Sequence, residues 1–489
     1  MEKIVEHIKI HDKFQFEIKF DYALSKHKKN TDYTVDSYFF LPNSLGINRH
    51  SYPSELFYRD IQTYIRFLTA PISLEQLANG AGFIEAIRKK IEKIKLERSD
   101  DHETNLRLIH HIRMLCNVFR SSAKEHISFL EGKNDLEDLE HIAERYLECT
   151  QEVIQKYRGL RPLFIDPSIP ENLLNTFLYG DEYLSILFEK FAFTQLDLLK
   201  GKCPILFKDL KPRFISAIKL EFEYRNQKKY HACKGKDPSH QEMVYRHGVL
   251  KRYFESNLFI DTRLKQEGRL MLQIVYSLAA GLAMIFATVV AFFAQQKYGT
   301  FTLPLFVALV LSYIFKDRMK ELSRSWIYSR WAKKAFDQKT SFFLGNNQLG
   351  FSKEHFGFLP EDQVDPQALN LRNNSRMTTL EHELAHERIF LYRKKVRIFS
   401  KNIRDEFQDT ALAGVTDLMR FNVNKIIRKM DDPKKSLFVL DGDSYKKVEG
   451  RKVYHLNLVI RYSSSTDVVY KRSRIIFNRS GIREILEVT

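Results

Sequence analysis

The chain has 489 residues, 44% of them hydrophobic and 28% charged, a profile that excludes a disordered protein and leaves room for two or three domains with cores of their own. A formal net charge of +17 and a pI near 9.4 ask for an acidic neighbour, either nucleic acid or an anionic lipid surface. The mean hydropathy of -0.35 confines any membrane portion to a small part of the chain.

The cysteines, Cys116, Cys149, Cys203 and Cys233, form no CxxC pair. Their spacing suits neither a zinc knuckle nor a disulfide framework, so a reducing compartment is expected. The opening residues, Met1-Glu2-Lys3-Ile4-Val5-Glu6-His7, lack the apolar core of a signal peptide, and the N-terminus is expected to stay in the cytoplasm.

Residues 1–41 alternate as strands do: Ile8, Ile10, Phe14, Phe16, Ile18 and Phe20, then Tyr33, Val35 and residues 38–41. A small β region is the reading. Residues 42–268 are expected to form a cytoplasmic helical domain. Leu56, Ile61, Tyr64, Ile65 and Leu68 make one helical stripe; Leu106, Ile109, Ile112, Leu115 and Phe119 make another. Adjacent His110 and His111 would point about 100° apart on a helix, so the pair cannot chelate alone, and a surface or interface place is expected for it.

Residues 269–316 are read as a transmembrane hairpin. No charge falls between 270 and 294, and a helix there would run about 37 Å, longer than the ~30 Å hydrocarbon core. The turn Gln295-Gln296-Lys297-Tyr298-Gly299-Thr300 leads to a second apolar run at 301–315, with Pro304 in its first turn. That run is short for a span, so Lys316 and Arg318 are expected to snorkel. Lys251, Arg252, Arg263, Lys265 and Arg269 precede the hairpin, whereas the turn holds only Lys297. Both termini are therefore expected inside, at an anionic inner leaflet, with the bacterial inner membrane as the location. Ala279, Ala283, Ala287 and Ala291, with Ser277 and Gly281 in a neighbouring row, allow close helix approach. Their partner is either the second helix or another copy of the chain, and self-association through the hairpin is expected. Neither span holds an ionisable residue, which fits an anchor better than a transporter.

Residues 317–340 are expected to lie on the inner leaflet as a basic aromatic helix, with Trp326, Tyr328, Trp331 and Phe336 among the cations. Residues 341–489 read as a cytoplasmic α+β domain. Within it, 341–374 looks irregular, a helix begins near Thr378, and 414–430 is a second helix through Leu418, Phe421, Ile426 and Ile427. Strands at 453–462, 468–477 and 482–488 close the chain. The fold class expected is an α+β integral membrane protein. It would comprise an N-terminal small sheet, a helical bundle, a two-helix hairpin and a C-terminal domain ending in antiparallel strands.

One motif suggests chemistry: His382-Glu383-Leu384-Ala385-His386 is HExxH. On a helix both histidines share a face and can ligate zinc, with Glu383 activating the metal-bound water. This resembles the motif of zincin-class zinc metallopeptidases, over these residues and little more. The resemblance implies His382 and His386 as ligands, Glu383 as general base, and Glu406 as a third ligand of the thermolysin type. Glu387 departs from the extended pattern, which has an uncharged residue there. Between Glu387 and Glu406 no Gly or Pro folds the chain back, and along one helix His386 and Glu406 would stand about 30 Å apart. The leading expectation is therefore a non-enzymatic membrane scaffold, sensor or oligomeric effector with an unknown protein partner and no cofactor. A membrane-bound zinc peptidase is the alternative. No RNA- or DNA-binding signature is present, so the lipid surface is the expected acidic neighbour.

Overall fold

The computed structural model describes residues 4–488 apart from 26–27, 80–81, 98–101, 231–239, 268, 300–301, 332–335, 374–386, 407–411 and 465–466. Strands β1 (Ile4–Asp12), β2 (Gln15–Ala23) and β3 (Thr31–Leu41) come first, and helix α1 (Ser54–Asp60) leads into β4 (Ile61–Thr69). Helices follow: α2 (Leu74–Ala78), α3 (Phe83–Glu97), α4 (His102–Gly132), α5 (Leu136–Arg158), α6 (Arg161–Phe164), α7 (Glu171–Lys202), α8 (Pro204–Gln227) and α9 (Gln241–Glu255). Strand β5 (Asp261–Gln266) precedes the long pair α10 (Arg269–Tyr298) and α11 (Leu303–Trp331). Then come β6 (Gln338–Leu344), β7 (Asn347–Leu359), α12 (Pro366–Asn373), β8 (Arg388–Ile398), α13 (Ser400–Glu406), β9 (Leu412–Asn422) and α14 (Asn424–Ile427). Strands β10 (Lys434–Asp441), β11 (Ser444–Arg451), β12 (Tyr454–Ser463), β13 (Val468–Asn478) and β14 (Gly481–Val488) complete the chain.

Two compact units result, one from Met1–Ile65, Ile260–Glu406 and Val415–Thr489, the other from Arg66–Phe259 and Phe407–Gly414. The first unit is built on an eight-stranded antiparallel sheet, ordered β14-β13-β12-β3-β8-β7-β6-β5. A second sheet, β1-β2-β9-β4, packs on its inner face. Aromatic side chains join the two sheets: Tyr22 of β2 stacks on Tyr33 of β3 at 5.1 Å, and Phe39 of β3 meets Phe421 of β9 at 5.7 Å. Phe57 of α1 plugs the same layer, stacked on Phe356 of β7 at 4.0 Å. These rings are fully buried or nearly so, and their burial is the main stabilising term of the unit. On the outer face α12 covers one end only, where Ala368 and Val364 pack on Tyr38, Phe40, Ile389, Leu391 and Val459.

The chain is thus mixed α+β, with an N-terminal sheet and C-terminal antiparallel strands. Several segments differ from their sequence reading. Residues 61–69 form β4, because the Ile61–Thr69 stretch of β-branched and aromatic residues alternates buried and open after α1 ends at Asp60. Residues 341–374, expected to be irregular, hold most of β6, all of β7 and α12; Gly345, at φ 57°, turns β6 into β7 through a two-residue loop. Residues 414–430 are mostly β9 and only at the end the short α14. Val415, Thr416 and Asp417 are buried in succession, which a surface helix would not do. Strand β3 pairs with β8 and β12, so the first 41 residues and the last 150 or so belong to one sheet system.

The second unit is helical, with long α4 and α7 at its centre and Leu115, Phe119, Tyr157, Phe177 and Leu184 fully buried or nearly so. His111 is buried there, its Nδ1 2.7 Å from the Arg107 carbonyl oxygen, and burial pushes the His110 imidazole down to about 4. Of the pair for which a surface or interface place is expected, His110 is half-buried and His111 buried. A polar network crosses the bundle at Asp181, which accepts from Arg158 Nε at 2.8 Å, Arg161 at 2.7 Å and the Tyr224 hydroxyl at 2.7 Å. Glu221 takes the other two Arg158 donors, so the buried charges are matched.

Candidate functional site: a helical hairpin rooted in a basic sheet face

The hairpin leaves the large sheet between β5 and β6, whose ends Gln266 and Gln338 are cross-strand partners. Its two helices run antiparallel in a fixed register. The Ser312 hydroxyl donates to the Ala287 carbonyl oxygen at 3.3 Å, and the Arg324 guanidinium lies 4.1 Å from the Tyr276 ring. Ala279, Ala283 and Ala294 of α10 are buried and Ala287 and Ala291 half-buried, so the small-residue stripe faces α11. Large apolar side chains point outward instead: Leu278 is 63% exposed, Phe292 68% and Leu303 76%.

Among the described residues one helical stretch, Tyr276–Tyr298, is long and apolar enough to cross a membrane, with a mean hydropathy of 2.2 over its best window. The partner helix is apolar only over residues 303–315, about 20 Å, before Lys316, Asp317 and Arg318. A tyrosine sits beside a lysine at each end of that layer. Lys297 is 5.5 Å from the Tyr298 ring and Lys316 is 4.1 Å from the Tyr313 ring.

At the hairpin's foot the outer face of the sheet is basic. Lys265, Lys339, Lys353 and Lys395 stand opposite one another across β5, β6, β7 and β8, since 265 pairs with 339, 339 with 353 and 353 with 395. Two residues along each strand, Arg263, Ser341, Phe351 and Arg397 form a parallel row. Lys353 pairs with Glu267 at 2.8 Å and Arg397 with Asp32 at 2.6 Å. Rings lie among the cations, with Lys339 4.4 Å from Phe351 and Lys395 5.6 Å from Phe336. Like charges directly opposite on neighbouring strands repel, so this row stores unfavourable energy unless an anion meets it.

Behind that face, one residue along, Lys394 is buried between the sheets. Its ammonium is 2.6 Å from an Asp417 oxygen and 3.3 Å from Glu354. Burial alone would lower its pKa, but the two carboxylates outweigh it and hold the lysine charged. Burial pushes the neighbouring Tyr22 and Tyr392 hydroxyls far above their usual range, so they stay protonated. The cluster is an ionic staple between the sheets, one ammonium against two carboxylates.

His382, Glu383 and His386 lie outside the described residues, as do Cys233 and the helix expected from Thr378; Glu406 ends α13. Among the described residues no group of three His, Cys, Asp or Glu side chains could hold a metal ion. The lysine row escaped the sequence reading because its members come from four separate strands. The trace it leaves is local alternation, as in Arg393-Lys394-Lys395-Val396-Arg397, with basic residues at every second position of one face. Compared with protein-family models, with curated proteins and with solved structures, the chain matches none.

Proposed function

We propose that the protein is a membrane-anchored, non-enzymatic scaffold or effector whose α10–α11 hairpin enters the bilayer and whose two units stay on one side of it. The observation that carries this is the outward aim of the hairpin's large apolar side chains, while the hairpin residues that are buried, among those described, are the small Ala279, Ala283, Ala294 and Ser312. In water such a surface is strongly unfavourable; in hydrocarbon it has no cost. Lys316, Arg318 and Lys320 then lie at the head groups, where an anionic leaflet attracts them. The short apolar run of α11 is accommodated by local thinning of the bilayer and by Lys316 reaching outward.

Flotation on a sucrose gradient tests this, with alkaline carbonate washing of the membranes. The full chain is expected to float and to resist the wash. Because the backbone of Glu267 bonds that of Asp337 at 3.2 Å, an Asn-Gly turn in place of 268–336 closes β5 and β6 as a plain hairpin. That excised protein is expected to stay folded and at the bottom of the gradient. A full chain removed by carbonate would overturn the proposal.

A further inference from the structure

The lysine row has an unmet electrostatic demand. Lys265, Lys339 and Lys395 have no carboxylate in ion-pair distance among the described residues, whereas Lys353 has Glu267. With strands about 4.8 Å apart the row extends about 14 Å, and the second row lies about 7 Å away along the strands. The face is open: α12 covers only the opposite end, Lys265 and Lys395 are exposed, and Lys339, Lys353 and Phe351 are half-exposed. A small ligand needs enclosure, so this face suits an extended polyanion.

Two extended polyanions are available to a membrane-anchored protein, the bilayer surface and a nucleic acid. The hairpin argues against the first, and here the inference rests on the anchored reading. Between the level of Lys316 and that of Arg324, α11 is polar; Tyr276 stands beside Arg324, and α10 continues down to Arg269. Tyr276 is the inner end of the apolar stretch Tyr276–Tyr298, so the foot of the hairpin at Arg269 is about 10 Å from the head groups. The Debye length at physiological salt is about 8 Å, so lipid charge is screened there. Half-exposed Phe351 and Phe336 among the lysines add aromatic surface on which bases can stack.

We propose that the outer face of β5–β8 binds single-stranded nucleic acid, its phosphates on Lys265, Lys339, Lys353 and Lys395 and a base against Phe351. Binding is sequence-tolerant, since phosphate contacts and stacking on a ring carry no sequence information. Four phosphate contacts predict that log K falls by about 3 per tenfold rise in salt.

The test uses the full chain in phosphatidylcholine nanodiscs and a fluorescein-labelled twelve-nucleotide oligo(dT), read by fluorescence anisotropy across 50–300 mM NaCl. The double variant Lys339→Gln/Lys395→Gln is expected to weaken binding at low salt and reduce the salt slope by about 1.4. A control pair on another strand couple, Lys435→Gln/Lys447→Gln, removes the same net charge and is expected to change neither. Phe351→Ala is expected to weaken binding with the slope kept. No binding at 50 mM NaCl would overturn the proposal, as would equal losses in the two double variants. Oligonucleotide binding unaffected by Lys339→Gln/Lys395→Gln would overturn it too. So would a face that proves to bind lipid, shown by Lys339→Gln/Lys395→Gln lowering retention on phosphatidylglycerol vesicles while oligo(dT) is not bound. Carbonate extraction of the same preparations reports on anchoring separately, so failure of one reading is distinguishable from failure of the other.

Discussion

Glu6 and Lys394 show how differently one fold treats two buried charges. Lys394 has two carboxylates within reach and stays ionised. Glu6, only 5% exposed on β1, is pushed up to about 7, chiefly by burial; the attraction of Lys471 opposes this and the repulsion of Glu487 adds to it. The sign follows from linkage. The unfolded carboxyl ionises near 4.5 and the folded one near 7, so the folded state binds the extra proton between those values. Stability is greatest below about 4.5, falls as pH rises to about 7, and is level above it as far as this group decides. A shift of that size corresponds to ~3 kcal/mol. Glu6→Gln is therefore expected to raise the thermal midpoint clearly at pH 8 and hardly at pH 4. An equal effect at both pH values, followed by circular dichroism, would show that the carboxyl is solvated.

At the scale of elements, β10 and β11 stand apart as a two-stranded sheet of their own. Both faces are open to solvent, with Phe438 69% and Leu440 83% exposed. An isolated two-stranded hairpin is marginal in water, so this arm contributes little to the stability of the unit that carries it. Its ends meet where the Lys452 amide donates to the Pro433 carbonyl oxygen at 2.7 Å. Replacing 434–451 by two glycines is expected to shift the thermal midpoint by no more than about 2–4 °C, equivalent to ~1 kcal/mol. A larger fall in a melting experiment would show that the arm packs on the unit. The arm turns at Asp441-Gly442-Asp443, where Gly442 takes φ 67°. The three C-terminal strands were legible in the sequence, since one-sided alternation between polar turns has few other solutions. Strand β9 was not. Inside its four-stranded sheet β9 is buried in succession over Gly414–Asp417 and alternates only from there to Asn422, too short a run to stand out, and Leu418, Phe421, Ile426 and Ile427 happen to fit a helical period. The candidate site divides in the same way. The hairpin stood out as a continuous apolar run, whereas the lysine row exists only once four strands from distant segments lie side by side.

For the whole molecule, the Arg66–Phe259 part of the helical unit is an insertion in the sheet unit. The chain leaves the sheets after Ile65 and returns at Ile260, whose amide donates to the Ile65 carbonyl oxygen at 3.3 Å. Within the insertion, Arg66 and Phe259 form an isolated antiparallel bridge, so its two ends are already adjacent. An insertion with adjacent ends and its own core has the means to fold alone. Its core qualifies: Leu115, Phe119, Phe177 and Leu184 are fully buried, and the Asp181 network is closed by groups of the same unit. Residues 66–259 expressed alone are expected to be soluble, strongly helical and cooperative in a thermal melt. The full chain in detergent is then expected to unfold in two calorimetric transitions, one of them at the temperature of the isolated piece. Asp181→Asn should lower that transition and leave the other in place, because it leaves half-buried Arg158 and Arg161 short of a carboxylate. A single transition in the full chain, lowered as a whole by Asp181→Asn, would mean that the two units share one folding equilibrium.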